Sequence, residues 1–366
     1  MYKDRSFIDH GGDIYTEGKL IGVDLLDFSS NINFLGVPES FQRNISKALE
    51  NLISYPDIKY RETKFYIKEY LKYGIKEENI ILGNGSAEII SLAVGTLQRP
   101  CIVVPSFTEY EAVARNHKGK INFSFLNEDF TFNYRNIMEQ MMECDGLVIA
   151  NPNNPNGGVI DKEAFMKILN YCEAHDKKII IDEAFIEFIN YNHQSFIDLC
   201  MKYKCIFIIR ALTKFFAMPG IRFGYGICSD QEYIERLSKL QIPWNINSFA
   251  EIAVQTVLKD RDYIHKSKVV IAQERDFFRT RLKEFKFVGK VYDSQANFLL
   301  VKLKGASGEG VFDYCIDKGI LIRRCSNFRG LNDSFIRLAV KSRKDNNKLL
   351  TIFKIYDEEI VREDVG

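Results

Sequence analysis

Residues 211–225 read Ala211-Leu212-Thr213-Lys214-Phe215-Phe216-Ala217-Met218-Pro219-Gly220-Ile221-Arg222-Phe223-Gly224-Tyr225. They follow an apolar run, Cys205 to Ile209, with the length and composition of a buried strand. A lysine thus stands among apolar residues just past a strand end, and a second cation, Arg222, follows beyond a Pro-Gly turn. Desolvation disfavours the ammonium form, which lowers the lysine pKa and frees the amine to attack a carbonyl. Lys214 is therefore a Schiff-base candidate. Taken alone, such a lysine more often lays its stem over a core and keeps its charge in water. The surrounding segments decide between these readings.

Upstream, Ile80-Ile81-Leu82 leads into Gly83-Asn84-Gly85-Ser86-Ala87-Glu88 and an apolar helix over Ile89 to Leu97. Cys101 to Val104, Gly146 to Ala150 and Lys178 to Ile181 are short buried strands, ended by Pro105, Asn151-Pro152 and Asp182. Lys162 to His175 has helical periodicity, and Cys205 to Arg210 and Phe223 to Cys228 continue the strand series. Short apolar strands separated by helices predict an α/β fold whose mainly parallel sheet is covered on both faces. Ligands of such sheets sit at the carboxyl ends of the strands. Downstream, a long helical stretch is expected from about Ala250 to Phe285. Strand Phe298 to Lys302, a helix near Gly310 to Lys318, and strands Leu321 to Arg323 and Phe335 to Ala339 complete a smaller α+β domain. The expected division is a large domain over 46–255 and a small domain formed by 1–45 with 256–366.

The bulk composition agrees with a two-domain globular chain of 366 residues, 46% hydrophobic and 27% charged. A net charge of +1 with interleaved signs gives no footprint for nucleic acid. The eight cysteines lack CxxC or Cys/His ligand spacing, which points to free core thiols in a reducing compartment and to no metal site. No apolar signal core opens the chain and no apolar run approaches membrane-spanning length, so a soluble, cytoplasmic protein is expected.

The strand-end segments carry the chemistry. The glycines of Gly83-Asn84-Gly85-Ser86 let backbone N–H groups converge at a helix N-terminus, which favours an anion. Asn151-Pro152-Asn153-Asn154-Pro155-Asn156-Gly157-Gly158 is a turn in which two prolines would hold an amide rigidly toward a ligand oxygen. Asp182 could cap a helix or, facing a pyridine, keep its ring nitrogen protonated. Together these segments resemble the fold-type I, class I/II aminotransferase family of pyridoxal-phosphate enzymes. Asn-Pro-x-Asn-Pro, Asp-Glu-Ala-Phe, Thr-Lys and Arg-x-Gly occur here in that family's order and spacing.

The resemblance implies that Lys214 carries the cofactor and later moves protons. It implies that Asp182 meets the pyridine nitrogen and Asn154 the 3′-oxygen. Gly85, Ser86, Ala87, Thr213 and Arg222 would hold the cofactor phosphate, with Phe107 and Ala184 against the two ring faces. Tyr55 of Ser54-Tyr55-Pro56 resembles a tyrosine that reaches the partner's phosphate across a homodimer interface. Three positions depart from the common pattern: Phe185 for a tyrosine, Phe107 for Tyr or Trp, and Asn156 for a threonine.

Both ends of the chain narrow the substrate. His10-Gly11-Gly12, Asp27-Phe28-Ser29-Ser30-Asn31, Ile322-Arg323-Arg324-Cys325-Ser326-Asn327-Phe328 and Ile336-Arg337-Leu338 resemble the branch of the family that decarboxylates threonine phosphate for cobalamin synthesis. The histidinol-phosphate aminotransferases share the framework and are the alternative. A non-catalytic regulator that binds the same cofactor is a third reading, disfavoured because no spare length or basic patch serves DNA. A phosphorylated amino acid presents a dianion and a carboxylate, both suited to arginine forks. On the resemblance, Arg323 with His10 and Gly11 takes the phosphate and Arg337 with Asn31 the carboxylate, though the two arginines could exchange roles.

Overall fold

The strands in chain order are β1 (Leu26–Asp27), β2 (Ile80–Asn84), β3 (Pro100–Val104), β4 (Asn122–Phe125), β5 (Gly146–Ala150), β6 (Lys178–Asp182) and β7 (Ile206–Ala211). They continue with β8 (Phe223–Ile227), β9 (Val288–Val291), β10 (Phe298–Leu303), β11 (Ile320–Leu321), β12 (Arg323–Arg324) and β13 (Phe335–Ala339). The structure is a computed structural model and describes residues 11–189 and 194–363. Seven strands form one sheet in the order β2-β8-β7-β6-β5-β3-β4, in which only β8 runs against its neighbours.

Isoleucine-rich strands such as Lys178-Ile-Ile-Ile-Asp182 are buried along their whole length, as a sheet covered on both faces requires. Alternate residues feed two separate cores. Leu82, Val103, Ile149, Ile181 and Ile208 belong to one, while Ile81, Ile102, Val148, Ile180 and Ile209 belong to the other. The helix Lys162–Ala174 packs on the first face through Phe165, Ile168 and Leu169. Asp161 starts that helix by accepting from the amides of Glu163 and Ala164.

A second, antiparallel sheet has the order β12-β13-β10-β9, and β1 pairs in parallel with β11. Its own core includes Phe28, Phe278, Leu299, Ile336 and Phe353, with Leu25 and Leu26 packed against it. Phe34, Phe41 and Ala48, further along the N-terminal segment, pack instead with the core of the large sheet. The helical stretch expected from about 250 to 285 is divided into two helices, Ser248–Val257 and Arg261–Leu282. Asp260 accepts from the Tyr263 amide and begins the second, so the local capping preference overrides the continuing periodicity. That second helix bridges the cores, with Ile271 in the large one and Phe278 in the small one. No helix among the described residues is long and apolar enough to cross a membrane.

Candidate active site

β2, β3, β5, β6 and β7 end at one edge of the large sheet, and the reversed strand β8 begins there. This topology converts sequence-distant strand ends into neighbours: Gly85, Phe107, Asn154, Asp182, Lys214 and, just before β8, Arg222. From the small lobe β12 and β13 meet the same edge. Ser86, Ala87, Phe107, Asn154, Asp182, Ala184, Thr213, Lys214 and Arg222 line one cavity of about 300 Å³, with Gly11, Asn31, Arg323 and Arg337 in the same wall. His10 lies outside the described residues. Tyr55 is elsewhere on this subunit, 80% exposed and packed on Trp244 at a ring separation of 4.6 Å.

One end of the cavity is built for an anion. Gly85 has φ +83°, and a Cβ there would fall 2.5 Å from Nη2 of Arg222. A Cβ on Gly224 would fall 2.4 Å from the Ser86 amide nitrogen. Both glycines let the backbone approach closely enough that the ten-residue helix Ser86–Gly95 opens its N-terminus beside a guanidinium. Arg222 itself sits in the left-handed region, at φ 56°.

Asp182 occupies the middle. Its Oδ2 accepts from the Tyr110 hydroxyl at 2.6 Å and its Oδ1 from the Ala184 amide at 2.9 Å. Burial raises the carboxyl pKa, and those two hydrogen bonds together with Lys214 pull it back. A protonated pyridine nitrogen at this point would supply the positive charge such a buried carboxylate needs.

Lys214 lines the same cavity. Burial, reinforced by the Arg337 and Arg222 cations, pushes its pKa down to about 8, while Asp27 acts in the opposite direction. The Asn33 amide donates to the Lys214 carbonyl and fixes this backbone against the N-terminal segment.

The far end holds the arginines. Arg323 and Arg337 are direct cross-strand partners on β12 and β13, and both are buried. Arg337 donates from Nη1 to Asn154 Oδ1 at 2.5 Å and from Nη2 to the Ser29 carbonyl at 2.6 Å. Burial and the Arg323 charge push its pKa down to about 10. Among the described residues, Nε of Arg337 and Oδ1 of Asn31 are buried without hydrogen-bond partners. Arg324 alternates to the other side of its strand and pairs with Glu309 at 2.6 Å.

In the proline turn the two asparagines divide the work. Asn153 donates to the Pro105 carbonyl and to Asn156, so it holds the turn itself. Because Asn154 accepts from Arg337 through Oδ1, its amide nitrogen remains as a donor for a ligand oxygen. Tyr110 was not recognisable as part of the site, and the segment Asp27 to Asn31 was singled out without a role for Asp27, Ser29 or Ser30. Tyr110 lies in Pro105-Ser-Phe-Thr-Glu-Tyr, where an aromatic reads equally as core, and its partner Asp182 is 72 residues away.

An anion cradle, a buried carboxylate and a desolvated lysine converging on one slot define a pyridoxal-phosphate enzyme, and the residues present fit that cofactor. When bound, it draws electrons from the substrate's Cα into its ring. The chain belongs to the aminotransferase class I and II family, whose model matches residues 23–353. It is 41% identical over 359 residues to a protein of Caldanaerobacter subterraneus subsp. tengcongensis with the provisional name threonine-phosphate decarboxylase, covering 96% of this chain and 95% of that one. The threonine-phosphate decarboxylase of Salmonella typhimurium is 31% identical over 354 residues, at 94% and 95% coverage. Among solved structures, the histidinol-phosphate aminotransferase from Clostridium acetobutylicum is 46% identical with a TM-score of 0.89, covering 92% of this chain and all of that one.

Proposed function

We propose that this protein is a carboxy-lyase that releases CO₂ from L-threonine O-phosphate to give (R)-1-aminopropan-2-yl phosphate in cobalamin biosynthesis. The observation that carries the reading is the pairing of Arg323 with Arg337 across β12 and β13 inside the cavity of Lys214. Like charges directly opposite on a sheet destabilise it, and burial multiplies the penalty. A substrate with two anionic ends, phosphate and carboxylate, turns that penalty into binding energy. The relatives named threonine-phosphate decarboxylase support the same substrate.

The chain's own groups then have distinct tasks. Gly85, Ser86, Ala87, Thr213 and Arg222 would hold the cofactor phosphate; Asp182 would keep the ring nitrogen charged, and Asn154 would donate to the 3′-oxygen. Phe107 and Ala184 bound the ring slot. Arg323, with Gly11, grips the substrate phosphate, and Arg337, with Asn31, the carboxylate. Two fixed anchors at opposite ends of a small molecule set the torsion about Cα. With the cofactor bound, holding the carboxylate bond perpendicular to its ring would favour loss of CO₂ over loss of the Cα proton. The Lys214 ammonium, with a pKa of about 8, would return a proton to Cα and become the free amine. O-Phosphoserine, smaller by one methyl, is a weaker alternative substrate, because a pocket rejects a missing methylene by only about 1–3 kcal/mol.

A second reading, histidinol-phosphate transamination, is favoured by the Clostridium acetobutylicum likeness. The relatives named threonine-phosphate decarboxylase, matched over 94–96% of this chain, favour the lyase reading over it. The holoenzyme is expected to release CO₂ from threonine phosphate without any 2-oxo acid. Glutamate formation from histidinol phosphate that depends on 2-oxoglutarate, without CO₂ release from threonine phosphate, would overturn the lyase reading.

A further inference from the structure

Asp27 ends β1, which is held to the small lobe by its pairing with β11 and by the Phe28 amide on the Leu321 carbonyl. Its carboxylate does not point to a lone partner. Oδ1 accepts from the Ser29 amide at 2.7 Å, the Ser29 hydroxyl at 2.7 Å and the Ser30 amide at 3.1 Å, and Oδ2 accepts from the Ser30 hydroxyl. Four donors on one carboxylate lock residues 29 and 30, both of which line the cavity.

Ser29 transmits that lock in two directions. Its carbonyl accepts from Nη2 of Arg337 at 2.6 Å, and its hydroxyl oxygen accepts from the Gly12 amide at 2.7 Å. Gly11 is pressed into the same joint: a Cβ there would lie 2.3 Å from the Ser29 carbonyl oxygen and 3.3 Å from Nη2 of Arg337. The Asp27 charge also offsets the nearby Lys214, Arg337 and Lys341 cations.

We propose that Asp27 is a positioning residue for substrate: through Ser29 it aims the Arg337 guanidinium and seats Gly11–Gly12 against it. Asp27 touches neither the reacting atoms nor the cofactor phosphate cradle, so its loss weakens substrate binding and spares cofactor binding. The inference rests on the reading that Arg337 grips an anionic group of the substrate.

The test uses holoenzyme, with L-threonine O-phosphate as the probe for both equilibrium binding and CO₂ release. Asp27→Asn is expected to raise KM and Kd about tenfold, the worth of one charge-assisted contact, with the bound-cofactor absorbance unchanged and kcat within threefold. Ser29→Ala removes the link to the Gly12 amide but keeps the carbonyl on Arg337, and is expected to raise KM about threefold. Because the two act in one relay, the double variant should be no worse than Asp27→Asn alone. A wild type that neither binds nor turns over threonine phosphate overturns the functional reading and this inference with it. A working wild type overturns the inference alone if Asp27→Asn changes KM by less than twofold, if it loses cofactor in parallel, or if the two substitutions are additive.

Discussion

Lys214 is the residue on which pH dependence turns. An exposed lysine titrates near 10.5, whereas burial brings this one down to about 8. Between those values the unfolded chain holds a proton that the folded apoprotein has released. Stability of the apoprotein should therefore rise with pH across that window, and below about pH 8 the buried ammonium is a standing cost. The same titration governs cofactor loading, since only the free amine attacks. The rate of absorbance change on adding pyridoxal phosphate to apoprotein should climb about tenfold per pH unit below 8 and then level off. A flat profile from pH 6 to 9 would refute a depressed Lys214. Residues of this kind were legible because the chemistry demands a particular side chain at a particular strand end. Tyr110 was not legible, and Asp27 was legible only as part of a motif, since Tyr110 meets Asp182 and Ser29 meets Arg337 only in the fold.

At the scale of elements, β6 and β7 show how the sheet supports the site from behind. Asp182 faces the cavity, and the next residue, Glu183, is fully buried on the other side of the chain direction. Arg210 of β7 donates to Glu183 through Nε and Nη2 and to Glu187 through Nη1, with the Ser195 hydroxyl shared among them. Removing one partner of a buried pair leaves an uncompensated charge, which costs about 3–5 kcal/mol. Arg210→Ala should lower unfolding stability by that amount in a denaturant titration and loosen the β6 end that carries Asp182. A loss below about 1 kcal/mol would show that Glu183 finds water or neutralises instead. The strands themselves were readable from their isoleucine runs, whereas the caps at Asp161 and Asn247 emerge only in the structure. The reversal of β8 was not readable. An apolar strand buried on both faces has the same sequence in either direction, and the reversal is what brings Arg222 to the Lys214 edge.

For the whole molecule, the surface around Tyr55 bears on assembly. Ile53 is 93% exposed, Ile242 is 78% exposed, and Leu49, Leu52, Ile58, Leu240 and Trp244 are exposed with them. Tyr55 packs on Trp244 with the rings tilted by 33°, which brings the segment around Ile53 beside that around Ile242. Large apolar residues gathered in this way mark an interface, and a self-complementary face closes as a two-fold dimer. The family resemblance had assigned Tyr55 to the partner's cofactor phosphate, and its exposure on its own subunit leaves it available for that contact. Light scattering on the purified protein should give twice the chain mass. Ile53→Glu with Ile242→Glu should give monomers that retain their fold and lose activity, because each site would then lack the partner's tyrosine. Tyr55→Phe should keep the dimer mass while weakening cofactor retention, which separates the tyrosine's contact from the interface that delivers it. A wild type of single-chain mass with full activity would sink the shared-site assembly and leave Tyr55 a surface aromatic packed on Trp244.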